Sequence, residues 1–217
     1  MKRAWQSQQG FTLVEMALVM LILGFLGVGL LSSMSGWMEN RNYVDTRRQM
    51  DRIGEALMGH VLATGGGFPA ADTDQDGLAD VGQALGELPW RTLGLSRRHG
   101  LDAWGRPLRY HVDGNYRETL PPMPPDTVTG LRVEDFVSDQ PLTLDNPNAP
   151  VVVLVSYGAN GNLEGSCSDN GDADPLYRLG NGAACPGPNP VALDDEVRWI
   201  SRYTLLGRLV DAGIWPR

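Results

Sequence analysis

The spacing of apolar and polar residues changes along the chain, and each change marks an element. From Phe11 to Leu31 the residues are almost wholly apolar, and Glu15 is the single charge. As a helix, that run is long enough to cross about 30 Å of hydrocarbon. From Gly36 to Thr64 there is no proline, and Met50, Ile53, Leu57 and Val61 recur at helical spacing. Arg47, Arg48, Asp51, Arg52 and Glu55 fall largely on other faces. Gly65-Gly66-Gly67 is a stop signal. The pattern therefore predicts one helix of about 50 residues, half in lipid and half covered by a domain. Beyond it the period shortens. Leu108 to Val112 reads as a strand fed by a turn, and Leu131–Val133 as a short strand. The β-branched run Val151 to Tyr157 reads as a buried strand, and the alternating Glu196 to Ser201 as a last one. Ser201 is placed to cap a closing helix, Tyr203 to Ala212, with Leu205, Leu206, Leu209 and Val210 on one face and Gly213 at its end.

Glu15 is a carboxylate in a costly place. An ionised group at the centre of a membrane helix costs roughly 2.5–3.5 kcal/mol on insertion scales, and less toward the end. The segment offers Glu15 no basic partner. A cut after Gly10 would create one, because the new amine of Phe11 is a cation and Glu15 becomes the fifth residue. A neighbouring subunit's amine could then neutralise it. The leader before the cut carries Lys2 and Arg3 and no acid, which keeps it cytoplasmic and places the long remainder outside. The apolar core is longer than that of a secretory signal, and its end lacks a small-x-small cleavage site.

Gly10-Phe11-Thr12-Leu13-Val14-Glu15 resembles the class III leader and helix start of type IV prepilins and type II secretion pseudopilins. The resemblance implies that prepilin peptidase, a membrane aspartyl enzyme, cuts after Gly10 and methylates Phe11. It also implies that Glu15 guides subunits into a helical filament with other pilin or pseudopilin subunits, driven by an inner-membrane assembly platform. Many filament-forming members carry a proline late in the apolar span. This chain has Ser32-Ser33 there, which leans toward a minor subunit.

Size allows one substantial domain beyond the span. Net charge is −8, and removing Lys2 and Arg3 brings the product near −10 (16 − 26). An acidic domain without a basic stripe is a poor nucleic-acid binder, and Arg97-Arg98-His99 reads as a solvated loop. His60, His99 and His111 stand in unrelated contexts, and there is no nucleophile motif or phosphate-cradling loop. The chain reads as the substrate of an enzyme, not as one.

Two further stretches carry chemistry. Asp72-Thr73-Asp74-Gln75-Asp76-Gly77-Leu78-Ala79-Asp80 matches the first half of a calcium loop. Asp72, Asp74 and Asp76 offer oxygens at positions 1, 3 and 5, Leu78 its carbonyl, and Asp80 stands at position 9. Position 12 is Gln83, so the closing bidentate ligand is missing. The alternative is an acidic surface turn, whose aspartates repel one another without a cation. Cys167 and Cys185 lie on the side of the membrane where disulfides persist, and they bracket a Gly-, Asn- and Asp-rich loop. A bridge between them fits better than zinc, because no histidine lies near either.

Asp102-Ala103-Trp104-Gly105-Arg106-Pro107-Leu108-Arg109-Tyr110 resembles the Asp-x-Trp-Gly-x-Pro stretch of major type II secretion pseudopilins, and Ser156-Tyr157-Gly158-Ala159-Asn160-Gly161 resembles their Ser-x-Gly-Ala-x-Gly. In that family an acidic calcium-binding loop follows. Here Asp169, Asp172 and Asp174 are separated from Asp194-Asp195-Glu196 by an insertion carrying the cysteines. Large inserts fall at about 111–150 and 166–193. The expected fold is α+β and pilin-like, a long N-terminal helix packed on a small antiparallel sheet with loop insertions. Its parts are the leader at 1–10, the transmembrane half-helix at 11–34, its extension at 35–64 and a periplasmic domain at 65–217. Function follows as a filament subunit, with a displayed binding module as the alternative.

Overall fold

The computed structural model describes residues 12–119, 129–143, 148–161, 175–179 and 193–214, with the side chains of 26–36 outside that description. The chain divides into two compact units, Met1–Arg41 and Asn42–Arg217. Helix α1 is Leu13–Thr64, and it ends at the glycine cluster that marks its stop in the sequence.

In the first unit the apolar side chains from Leu13 to Phe25 are exposed on all sides, and Trp37 and Met38 are exposed beyond them. A helix apolar all round is suited to an apolar environment. Among the described residues no helix is long and apolar enough to cross a membrane. The expected span at 11–34 includes Phe11, outside the described residues, and 26–34, whose side chains are not described.

The second unit is built on two sheets. Strands β1 (Leu85–Glu87), β2 (Arg109–Val112), β5 (Pro150–Ser156) and β7 (Glu196–Ser201) form an antiparallel sheet in the order β1-β2-β5-β7. Strands β3 (Arg132–Asp135), β4 (Gln140–Pro141) and β6 (Leu176–Leu179) form a second sheet in the order β4-β3-β6. Helix α2 is Arg202–Asp211.

All seven residues of β5 are buried, because both faces of its sheet are covered. Val152 and Leu154 turn toward Met50, Ile53, Leu57 and Val61 of α1, with Tyr110, Val112 and Ile200 beside them. Val153 and Val155 turn the other way, with Val197, toward Leu131, Val133 and Tyr177. Strands β2, β5 and β7 of the antiparallel sheet and β3 of the second were legible, but β1, β4 and β6 were not. The second sheet is mixed, since β3 and β6 pair in parallel, and it adds to the antiparallel sheet that was expected.

Ser201 caps α2 as expected, accepting a hydrogen bond from the Thr204 backbone N–H. The expected apolar face of α2 is narrower than the sequence suggested. Leu205 and Leu209 are buried, while Leu206 is half-buried and Val210 is 50% exposed. The i, i+4 pair meets the core, and its neighbours at i+1 are rotated away from it.

Salt bridges pin α1 to this unit. Arg47 holds Glu196 with two bonds, Nε to Oε2 at 2.8 Å and Nη2 to Oε1 at 2.6 Å. One turn on, Asp51 faces Arg198 at 3.5 Å, and another turn on, Glu55 faces Arg208 at 2.8 Å. The i, i+4 spacing of 47, 51 and 55 lines these groups along one edge of the helix.

Candidate functional site

The acidic stretch folds back on its own backbone. Both oxygens of the buried Asp72 are used, Oδ1 by the Gln75 N–H at 2.8 Å and Oδ2 by the Gly77 N–H at 2.7 Å. Asp74 accepts from the Asp76 N–H at 3.2 Å, and Asp76 from the Leu78 N–H at 2.7 Å. Asp80 accepts from both the backbone and the hydroxyl of Thr73. Those bonds hold the Asp80 carboxyl below its ordinary range. One oxygen each from Asp72, Asp74 and Asp80 lies within 4.8 Å of the others, close enough for a single cation. Asp76 is not part of that trio, although it is position 5 of the calcium pattern.

The loop is anchored from outside. The Gly77 carbonyl accepts from the Arg91 N–H at 2.8 Å, and the Thr92 hydroxyl accepts from the Ala79 N–H at 2.9 Å. Gly77 has φ +86°, and any Cβ there would run into the Trp90 indole. Asp72 and Glu87 exchange backbone hydrogen bonds at 3.0 and 2.7 Å. Burial, and then the Asp72 charge, raise the Glu87 carboxyl above its ordinary value. Sequence reading missed both Trp90 and Glu87, since nothing in the local pattern shows that they meet residue 77 or 72.

The Asp102 and Ser156 stretches, read separately, form one knot. Asp102 is buried. Its Oδ1 accepts from the N–H groups of Trp104 and Arg106, each at 2.9 Å, and its Oδ2 accepts from the Ser156 hydroxyl at 2.8 Å. The Arg106 guanidinium donates to the carbonyls of Gly158 and Ala159. Trp104 meets Tyr43 edge-on, with ring centroids 4.9 Å apart. Asp194 closes the turn, its Oδ2 accepting from Ala159 N–H at 2.6 Å, Asn160 N–H at 3.0 Å and Tyr43 Oη at 3.2 Å. Its Oδ1 is buried and has no hydrogen-bond partner among the described residues. Glu196 is committed to Arg47. Asp169, Asp172, Asp174, Cys167 and Cys185 lie outside the described residues.

At the other end of the chain, Gly10 and Phe11 lie outside the described residues, and the description begins at Thr12. The Thr12 hydroxyl accepts from the Glu15 N–H at 3.2 Å. Thr12 thus caps α1, and Glu15 occupies the third helical position, as in a Thr-x-x-Glu capping box. A carboxylate there also faces the positive end of the helix dipole. The Thr12–Glu15 spacing was visible in the sequence as a capping signal but was not read as one.

The prokaryotic N-terminal methylation motif matches residues 5–31. The chain carries a class III prepilin leader. That leader implies processing by prepilin peptidase and assembly with other pilin subunits, and it supports a structural role as a pilin-like or pseudopilin subunit. The helix-on-sheet, α+β arrangement accords with a pilin-like fold. No curated protein and no solved structure is significantly similar to the chain.

Proposed function

We propose that the chain is a structural subunit, a pseudopilin or minor pilin, of a type II secretion pseudopilus or a type IV pilus-like filament. The observation that carries this reading is the methylation motif at 5–31, with Glu15 at the third position of α1. Prepilin peptidase hydrolyses the Gly10–Phe11 bond and methylates the new amine. The apolar run from Phe11 holds the chain in the inner membrane as a single span, with the C-terminal domain in the periplasm. The assembly platform then moves it into the filament, where Glu15 pairs with the Phe11 amine of a neighbour.

The test uses a feature of the composition. Lys2 is the sole lysine and precedes the cut, so the mature chain has one amine, that of Phe11. Mass spectrometry of the membrane fraction should find a single methylated amine on a chain beginning at Phe11. An intact Met1, or a cut near Ser33, overturns the reading. Glu15→Ala should leave processing intact and impair incorporation into filaments.

Calcium at the acidic loop is the second part of the proposal. Asp72, Asp74 and Asp80 would hold the ion, with Asp76 and the Leu78 carbonyl as further oxygens. Support comes from the three converging carboxylates. Chelation should lower the melting temperature of the full chain in detergent, and Asp74→Ala should lose that response. No change on chelation leaves an acidic surface turn. Outside the cytoplasm, a Cys167–Cys185 bridge would constrain the stretch of chain between them, stabilising by about 2–4 kcal/mol.

A second reading, a binding module displayed by the filament, is favoured by the extra sheet. Its β3–β4 turn presents Val137, 72% exposed, to solvent. Deleting that turn should abolish cargo or surface binding without reducing filament number, if display is the role.

A further inference from the structure

Helix α1 has no basic residue in its last turn. The negative end of its dipole therefore has no cation of its own. Beside that end opens a pocket of about 370 Å³, walled on its apolar side by Phe68, Pro69 and Val81 and carrying His60 and Glu118 as polar groups.

Glu118 is a built position. Its φ of +61° lies in the left-handed region, which a non-glycine residue seldom adopts. Backbone hydrogen bonds hold it there. Its N–H donates to the Phe68 carbonyl at 2.7 Å, and its carbonyl accepts from the Gly67 N–H at 3.0 Å. One carboxylate oxygen accepts from the Gly82 N–H at 2.9 Å. No arginine pairs with Glu118 among the described residues. Burial pulls the His60 imidazole below its ordinary value, so at neutral pH it offers the pocket an acceptor rather than a competing cation.

A carboxylate, a helix C-terminus and a neutral imidazole over an apolar wall fit a cation on an aliphatic stem. We propose that this pocket receives an arginine side chain from an adjacent subunit of the filament. The proposal rests on the subunit reading above. The permanently charged basic side chains of the mature chain are all arginines, since Lys2 is lost with the leader. Arg52 and Arg98 are exposed and have no carboxylate partner among the described residues, so a copy of this chain carries the required group. They sit together on the surface, because Gln49, one turn before Arg52, donates to the Arg98 carbonyl at 3.1 Å. Arg52 lies about 18 Å from the end of α1 along the helix axis. Donor and acceptor thus occupy different places on the subunit, as a head-to-tail contact requires.

Two measurements on the full chain test it. In detergent micelles, n-propylguanidinium should shift the His60 ring resonances in a saturable way. Glu118→Gln should weaken that binding at least fivefold, and Val81→Arg, which sets a cation over the pocket from an exposed position, should abolish it. An absent or unsaturable shift, or equal binding by the Glu118→Gln chain, overturns the proposal. This arm needs no filament, so its failure is distinct from failure of the subunit reading. In cells, Val81→Arg should reduce incorporation at least tenfold while its cleavage at Gly10 and its melting temperature match wild type. Incorporation equal to wild type also overturns the pocket's role, and leaves the subunit reading standing.

Discussion

Strand β5 separates two cores that are built differently. Toward α1, Val152 and Leu154 join a cluster drawn from the helix, the antiparallel sheet, α2 and the chain after α1, with eighteen buried residues among those described. Toward the second sheet, Val153 and Val155 join a cluster of six. One face is organised by a single helical stripe, while the other is assembled from short strands far apart in sequence. Stabilisation scales with the apolar area removed from water. The smaller core should therefore open first, and local opening should follow the second sheet rather than the first.

The sharpest way to break that contrast is to remove one side chain from each core. Leu57 is fully buried in the larger cluster. Leu57→Ala should cost about 2–5 kcal/mol, with a cooperative loss of the whole unit. Val133 is equally buried in the smaller cluster. Val133→Ala removes two methyl groups and should cost about 1–3 kcal/mol. Hydrogen exchange is the deciding measurement. In the Val133→Ala chain the amides of β3 and β6 should lose protection while those of β2 and β5 keep it. Equal loss in both sheets would mean that the cores are one cooperative unit.

The next largest effect joins the two sheets through one hydrogen bond. His111 on β2 meets the Tyr177 hydroxyl on β6, with Nδ1 to Oη at 2.5 Å. Burial lowers the His111 imidazole from its usual 6.5 to about 4, with Asp113 opposing and Arg109 adding to the shift. A depressed folded value means the unfolded chain binds more protons between those two pH values. Stability from His111 is therefore complete above about pH 6.5 and falls as pH drops toward 4, by up to about 1.4 kcal/mol per pH unit. His111→Asn should flatten this part of the melting-temperature profile. His60, also lowered by burial, contributes in the same sense, so the difference between the two profiles isolates His111.

A smaller effect tests how α1 is attached. The Glu196 side chain is only 6% exposed, and Arg47 is its partner. The contact also raises the Arg47 guanidinium above its ordinary value, the hydrogen bond to Glu196 outweighing the cost of burial. Arg47→Ala would leave a buried carboxylate without its cation and should cost about 1–3 kcal/mol. Arg47→Ala with Glu196→Gln should recover part of that loss in a denaturant titration.

What the sequence made legible tracks how local each signal is. The stripe Met50, Ile53, Leu57 and Val61 and the stop at Gly65 lie within a few turns of one another, and α1 ends where they place it. The β-branched run of β5 showed that the strand is buried without showing what covers it. The pairing of the second sheet was not readable, because β6 pairs in parallel with β3 more than forty positions away. At the acidic loop, spacing identified Asp72, Asp74 and Asp80, whose convergence is a local turn. It could not reveal Trp90 filling the space above Gly77, nor Asp102 reaching Ser156. Those contacts depend on how separate segments pack.

The smallest expected effect is at the outer end of the salt-bridge row. Glu55 and Arg208 are joined at 2.8 Å, yet their side chains are 69% and 48% exposed. Water screens the pair, and holding two long side chains in one geometry costs entropy, so exposed pairs contribute roughly 0–1 kcal/mol. Arg208→Ala should therefore shift the melting temperature far less than Arg47→Ala, and raised salt should erase the remaining difference. Both bridges start from the same row on α1 and join an arginine to a glutamate, and they differ in the exposure of the carboxylate. If Arg208→Ala matched Arg47→Ala, burial of Glu196 would not be what gives the inner bridge its weight. The attachment of α1 to α2 would then matter as much as its attachment to β7.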